Sequence, residues 1–515
     1  GHLPGKSAIL VLLEKSQWFL LDHRNYLNSQ RYYNMKRFDH CKYSNSSIAT
    51  NIEGQSENIE NGQFHSELSK DQIVIKDKSI QKNGMPPIST LPVEEILKSY
   101  LTTLDLDNCE TESDNAFFVA DLGEIYRQHL RWKTNLPRVE PFYAVKCNTD
   151  LTLLRLLAAL GTGFDCASKS EIKTILDMGI DPSKIIYANP CKQSSFIRFA
   201  AEHDVKMMTF DNAEELRKIK RFFPNAQLVI RILTDDSKAL IKLGTKFGAS
   251  LNNTGFLLQT ARDLGLSVIG VSFHVGSGCY DENAYIDAIH RARFVFDQAT
   301  ELGFNFNLLD VGGGFSFSHK SDDGISFEKI AALLGPAIDK YFPPNIRVIA
   351  EPGRYYAAPA FTIATHIIAK RTVRRDIEEE YIPNMNADQN DVSPTGDDHP
   401  AFMYYINDGL YGAFNCILYD HQLVTPKVLM KGGNFLFGET LDEPEYSCFI
   451  WGPTCDSIDC ITKNGSLPEL LPGDWLYFEE MGAYTIAAAT KFNGFKQSKI
   501  IYTTTEPHVL DALSL

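Results

Sequence analysis

The chain has 515 residues, 44% of them hydrophobic and 22% charged, the make-up of an ordinary globular protein with room for two or three domains. Its formal net charge of -15 disfavours attraction to nucleic acid or to an acidic membrane surface, so neither is expected as a partner. No run approaches the ~20 apolar residues of a membrane span, and the ten cysteines stand singly without CxxC or zinc-type spacing, so no metal site is expected and a cytoplasmic location is.

Residues 1–85 are rich in Asn, Ser, Tyr and Lys and lack sustained periodicity, which predicts a disordered extension. The apolar run Ala8–Leu13 is short, meets Glu14 and Lys15 at once, and has no small-residue cleavage site after it, so it is not read as a signal peptide. Residues 86–117 are expected to lend a strand or helix to a later β domain.

From 118 to 355 short apolar runs alternate with stretches of helical period. The runs are 142–148, 163–168, 185–189, 206–211, 228–232, 268–275, 307–313 and 347–353. Between them, Ile172, Ile175 and Leu176 share one helix face before Gly179, and Ile286, Ile289, Arg293 and Phe296 recur at steps of three or four. Eight such units in about 240 residues predict a closed (β/α)8 barrel of TIM type. Its chemistry should then collect at the C-terminal ends of the strands. Lys146, Asp165, Arg231, His274, Gly312-Gly313-Gly314 and Glu351 all fall at or near such ends.

After Tyr356 the alternation gives way to strand-like runs at 361–368, 401–406 and 474–478, which predicts a second, mostly β domain over 356–515. Two polar insertions, at about 378–398 and 431–445, read as loops without catalytic pattern.

The residue types at the barrel rim suit one kind of chemistry. A lysine ending an apolar strand must find a partner or lose its charge, and a neutral amine forms Schiff bases with aldehydes such as pyridoxal phosphate. Bare glycine amides after a strand admit an anion closely, and the fork of Arg354 suits phosphate oxygens. Other readings compete for each residue. Glu351 could pair with Arg354 in the same EPGR turn, His274 could be a hydrogen-bonded core residue, Glu171 an exposed helix charge, and Cys455 a buried inert thiol.

Ten segments carry a resemblance to the eukaryotic ornithine decarboxylases, whose wider pyridoxal-phosphate barrel family includes alanine racemase and diaminopimelate decarboxylase. They are PFYAVKCN (141–148), FDCASKSEI (164–172), YANPCKQ (187–193), RILTDDSKA (231–239), SFHVGSGC (272–279), LLDVGGGF (308–315), AEPGRYY (350–356), NDGLYGAFNCILYDH (407–421), WGPTCDSID (451–459) and EEMGAYT (479–485). The match runs in family order from about residue 85 to about residue 505, and leaves out the extension and both insertions.

The resemblance implies pyridoxal 5'-phosphate as cofactor, tethered to Lys146. It places Glu351 at the ring nitrogen, His274 against the ring face, and Ser277, Gly313, Gly314, Pro352, Gly353, Arg354 and Tyr484 around the phosphate, with Asp165, Glu171 and Arg231 as further site residues. It makes Cys455 the acid that protonates the product carbon, and Tyr419, Asp420 and Asp456 the binders of a distal ammonium. It implies decarboxylation of L-ornithine to putrescine and carbon dioxide, the first step of polyamine synthesis. It also implies a homodimer in which Cys455 and Asp456 reach into the partner's site, and leaves regulation by antizyme open. Two alternatives stand beside this: a decarboxylase of lysine or another basic amino acid, and an inactive regulator like antizyme inhibitor.

Overall fold

A computed structural model describes residues 79–80, 84–104, 114–235, 237, 239–279, 281–318, 325–373 and 400–514. Nearly all of the expected extension and the whole insertion at 378–398 lie outside them. Eight parallel strands close a barrel: β1 (Val139–Ala144), β2 (Gly163–Cys166), β3 (Ile185–Tyr187), β4 (Met207–Phe210), β5 (Gln227–Arg231), β6 (Ser267–Ser272), β7 (Leu308–Asp310) and β8 (Arg347–Ala350). Each overlaps one of the eight apolar runs, although the first strand ends at Ala144 and leaves the second half of its run, Lys146 included, beyond it. Closure is made by β8 on β1, with Val348, Ile349 and Ala350 opposite Val139, Glu140 and Pro141.

Phe142, Ile186, Met207, Val229, Leu308 and Ile349 point into the barrel and pack as one layer cluster. The opposite faces of the strands carry a larger core against the surrounding helices. Strands buried on both sides are therefore continuous apolar runs rather than alternating ones. Local signals start the helices: Asp150, Ser168, Asn212 and Ser326 accept backbone N–H bonds from the first turns they precede.

The second domain is an eleven-stranded, mostly antiparallel sheet built on the long strand Phe361–Thr372. Its first half pairs with Phe117–Asp121 on one side and Trp475–Phe478 on the other, and its second half with Phe402–Ile406. Phe117–Asp121 crosses the expected boundary at residue 118. It lies in this sheet, between Phe361–Ala364 and the C-terminal strand Lys499–Thr503, and not in the barrel. Helix Val93–Thr102 covers the same sheet with Ile96, Leu97, Tyr100 and Leu101.

The insertion at 431–445 is not purely a loop. Lys427–Lys431 and Asn434–Phe435 form a hairpin whose turn, Gly432-Gly433, has φ of +54° and +81°. Two successive positive φ values are what a primed two-residue turn requires and glycine supplies at least cost. Phe437 anchors the returning chain on Tyr477, ring centres 4.8 Å apart.

Candidate active site

The C-terminal ends of the barrel strands open into a cavity of about 340 Å³. Lys146, His274, Ser277, Gly313, Gly314, Glu351, Gly353, Arg354, Tyr419, Asp420 and Tyr484 all line it. The barrel contributes the first eight, the β domain the last three.

Lys146 sits in the helical turn Val145–Cys147 directly after β1. Ala144 and Asp165 are register neighbours on β1 and β2, which brings the Asp165 carboxylate under the amine. Lys146 Nζ donates to Asp165 Oδ2. Burial alone would depress the amine, but Asp165, then Tyr484 and Glu351, outweigh it and hold the ammonium above lysine's usual range. The lysine has thus found a partner instead of losing its charge. Asp165 is fully buried, and its Oδ1 has no hydrogen-bond partner among the described residues.

Glu351 follows β8 and is buried beside Asp310, the last residue of β7. Burial, then the Asp310 and Asp165 charges, push the Glu351 carboxyl well above its ordinary range. Asp310 itself is pushed up to about 6, by burial first. Its Oδ1 accepts the Gly312 N–H at 2.9 Å while Oδ2 has no described partner. Glu351 does not pair with Arg354. That guanidinium lies on Asp420 Oδ2 at 2.6 Å and Ser277 Oγ at 3.0 Å. Arg354 and Asp420 neutralise one another at the cavity wall, so an anion arriving at the first and a cation arriving at the second would each replace half of the pair.

His274, two residues past β6, accepts the Gly276 N–H on Nδ1 at 3.0 Å. Burial, with Arg231 and Lys146 nearby, holds the ring well below its usual pKa. The imidazole is therefore neutral with its proton on Nε2. A side chain at Gly313 would put its Cβ 2.7 Å from that nitrogen and 2.9 Å from the Glu351 carbonyl oxygen, so only glycine fits between them. Gly312 has φ +64°, and a Cβ there would meet the Phe273 carbonyl oxygen at 2.0 Å. Tyr484 holds φ +55°, rare for a bulky residue, fixed by its N–H bond to the Cys147 carbonyl at 2.8 Å.

Other expected residues stand outside the cavity lining. Asp165 lies behind Lys146, and Arg231 places its guanidinium over the Phe247 ring at 5.1 Å. Pro352 acts through its backbone, accepting the Ala144 N–H at 3.1 Å. Glu171 is neither a cavity residue nor a free surface charge. Its Oε2 accepts the Ala167 N–H at 2.6 Å while the N-cap Ser168 Oγ accepts the Glu171 N–H at 3.3 Å, so it ties down the chain entering Lys169–Asp177. Cys455 is exposed rather than buried, with its N–H on Asn493 Oδ1 at 3.1 Å. Asp456 accepts the Tyr411 hydroxyl at 2.5 Å, which holds its carboxyl below the ordinary range. Neither reaches the cavity of its own chain.

Sequence reasoning missed Asp310 and Asn415. A carboxylate ending an apolar strand two residues before three glycines was a readable signal for the first. Asn415 lines the cavity and donates to the Gly412 and Thr485 carbonyls, both at 2.6 Å; nothing in its spacing marked it.

The donor set fits pyridoxal phosphate. The site offers an amine for the aldehyde, glycine amides with Ser277 and Arg354 for the phosphate, and a buried acid pair for the ring nitrogen. Among the described residues no His/Cys/Asp/Glu cluster could hold a metal ion, and no helix is long and apolar enough to cross a membrane.

Comparison with known proteins agrees. The family described as "Pyridoxal-dependent decarboxylase, pyridoxal binding domain" matches residues 122–358. The chain is 52% identical over 434 residues to an ornithine decarboxylase of Neurospora crassa, covering 82% of this chain and 88% of that one. It is 50% identical over 395 residues to an antizyme inhibitor 2 of Xenopus laevis, covering 76% and 82%. Among solved structures, the agmatine-bound arginine decarboxylase of Paramecium bursaria Chlorella virus aligns with a TM-score of 0.66 at 34% identity, over 75% of this chain and 97% of that one. A lysine/ornithine decarboxylase of Vibrio vulnificus complexed with cadaverine aligns with a TM-score of 0.63 at 29%, over 75% and 92%. The chain therefore belongs to the ornithine decarboxylase family of pyridoxal-phosphate-dependent enzymes.

Proposed function

We propose that this enzyme decarboxylates L-ornithine to putrescine and carbon dioxide, the opening step of polyamine synthesis. The observation that carries the reading is the convergence of Lys146, Glu351, His274 and the Gly312–Gly314/Arg354 anion site on one cavity that also holds the Asp420 carboxylate. Bound pyridoxal phosphate supplies an electron sink for the pair left when the α-carboxylate departs.

The chain's own groups do the rest. Lys146 tethers the cofactor, and Asp165 orients its amine. Glu351, with Asp310 behind it, would face the ring nitrogen, which needs a carboxyl partner. His274, neutral and held by Gly276, would offer a flat face to the ring. Gly313, Gly314, Gly353, Ser277, Arg354 and Tyr484 cradle the phosphate. Asp420, beside Tyr419, accepts the distal ammonium, which disfavours a substrate ending in a carboxylate.

Cys455, with Asp456 next to it, serves as proton donor in the partner's site. A homodimer is supported by the exposure of Cys455 away from its own cavity, and by the apolar side chains of Leu418, Tyr419, Leu423, Ile458 and Phe492 left open around these segments. Seven of the described cysteines are free thiols, which suits the reducing cytoplasm.

An inactive regulator is the second reading, favoured by the likeness to antizyme inhibitor 2; antizyme is a candidate partner under either. Complete retention of Lys146, Asp165, Arg231, Asp420, Cys455 and Asp456 speaks for activity. The test is carbon dioxide release from ornithine, lysine and arginine with added pyridoxal phosphate. Ornithine should be preferred over lysine by about 10–200-fold, the worth of one methylene. No release from any of the three would favour the regulator.

A further inference from the structure

Helix Leu122–Asn135 lies on the outside of the barrel, yet one of its faces grips both halves of the anion site from behind. Arg131 is the centre of that grip. Its Nη1 donates to the Phe317 carbonyl at 2.8 Å and its Nη2 to the Ser318 carbonyl at 3.2 Å, a few residues past Gly312-Gly313-Gly314. The same guanidinium makes a two-point bond to Glu328, Nε to Oε1 at 2.5 Å and Nη2 to Oε2 at 2.7 Å, on the first turn of helix Phe327–Tyr341. It also donates to Gln128 Oε1 at 3.2 Å and covers the rings of Phe327 and Tyr355, 5.2 and 5.8 Å away.

One turn earlier, Gln128 takes hold of the other half. Gln128 Nε2 donates to the Tyr355 carbonyl at 2.8 Å, and the Tyr355 hydroxyl returns a bond to the Gln128 carbonyl at 2.8 Å. Tyr355 directly follows Arg354. Trp132 fills the space between, its ring 4.8 Å from Phe315 of the glycine loop and 5.2 Å from Tyr355. The glycine loop and the arginine turn thus have one common support, and the cation that bonds to the loop carbonyls from it is Arg131, whose side chain is 9% exposed. Glycine amides bind an anion only when their N–H vectors are held, because glycine itself holds nothing.

We propose that Arg131 is a positioning residue for the phosphate cradle, acting through the backbone of 317–318 and through Gln128 and Tyr355 rather than by touching the cofactor. This rests on the reading of Gly312–Gly314 and Arg354 as the phosphate site. A group that sets only the cradle controls the phosphate's share of cofactor affinity and leaves the aldehyde and ring contacts alone.

Pyridoxal, which lacks the phosphate, separates the two. Affinities of the full-length, cofactor-depleted enzyme for pyridoxal phosphate and for pyridoxal are read from the visible absorption of the bound forms, with circular dichroism as a fold check. Arg131→Met should weaken pyridoxal phosphate by about tenfold or more and pyridoxal by less than about twofold, the scale on which outer partners of a ligand site act. Glu328→Gln loosens the same clamp from an exposed position and should shift the ratio in the same direction by less; it decides the matter if Arg131→Met does not fold. Equal losses for both ligands, or no change in either folded variant, would overturn the clamp while Arg354→Met still shifts the ratio. A ratio unchanged in Arg354→Met would instead remove the cradle reading itself.

Discussion

Lys146 is stored in this protein as an ammonium, and its neighbourhood explains how one site serves two needs. Schiff-base chemistry needs the free amine, whereas folding a lysine at the end of an apolar strand needs a counter-charge. Asp165 meets the second need, and it lies where it would also face the same nitrogen once a cofactor is tethered there. At the opposite wall, the tolerance for atoms is close to nil. Gly313→Ala forces a methyl to within 2.7 Å of His274 Nε2 and 2.9 Å of the Glu351 carbonyl, so the imidazole must tilt or the loop must move. Overpacking of this kind costs about 1–3 kcal/mol, and here it falls on two residues that frame the ring. The expected outcome is about tenfold weaker binding of pyridoxal phosphate for each 1.4 kcal/mol of that strain that falls on the bound form. Titration of the variant by visible absorption checks it, and an undiminished affinity would refute the framing role. The importance of this glycine was legible in the sequence only as one of three in a row. That it is trapped between a histidine two residues past β6 and a carbonyl after β8 depends on barrel closure, which no local pattern contains.

Elements differ in how much of themselves they advertise. The eight barrel strands were legible because each is buried on both faces and bounded by helix-cap residues. Phe117–Asp121 was not, because its apolar run and following helix look like one more βα unit. What removes it from the barrel is pairing with Phe361–Ala364 and Lys499–Thr503, far away in the chain. The helix that follows carries a pH-sensitive joint. His129 Nδ1 shares a hydrogen bond with the Tyr356 hydroxyl at 3.1 Å, and burial, then the Lys133 charge, pulls its pKa down to about 4. Between the unfolded value near ~6.5 and the folded one, the unfolded chain holds a proton that the native chain does not, so stability must fall as pH drops through that window. Each unit of acidification there removes up to about 1.4 kcal/mol. Urea unfolding at pH 7, 6 and 5 should show this limb, and His129→Gln should flatten it. A slope unchanged by the substitution would assign the acid sensitivity to other groups.

At the scale of the whole molecule, the residues proposed for the site lie in two places. Lys146, Glu351 and the anion cradle gather in the barrel mouth, while Cys455 and Asp456 face outward on a loop tied to Tyr411 and Asn493. Leu423 is 95% exposed three residues after Asp420, and Phe492, stacked on Tyr411, is also open. A second copy related by a twofold axis would cover this apolar surface and could bring each Cys455 to the other's cavity. Subunit mixing tests this directly. Lys146→Ala and Cys455→Ala are each expected to be nearly inactive alone. In a mixed dimer, one site combines both lesions and the other has Lys146 from one chain and Cys455 from its partner. Random exchange makes half of the dimers mixed, so recovery to about a quarter of the wild-type rate is expected from a twofold assembly. Labelled subunits establish that exchange has occurred. Exchange without recovery would mean that Cys455 acts within its own chain or not at all, and the outward-facing loop would then need another explanation.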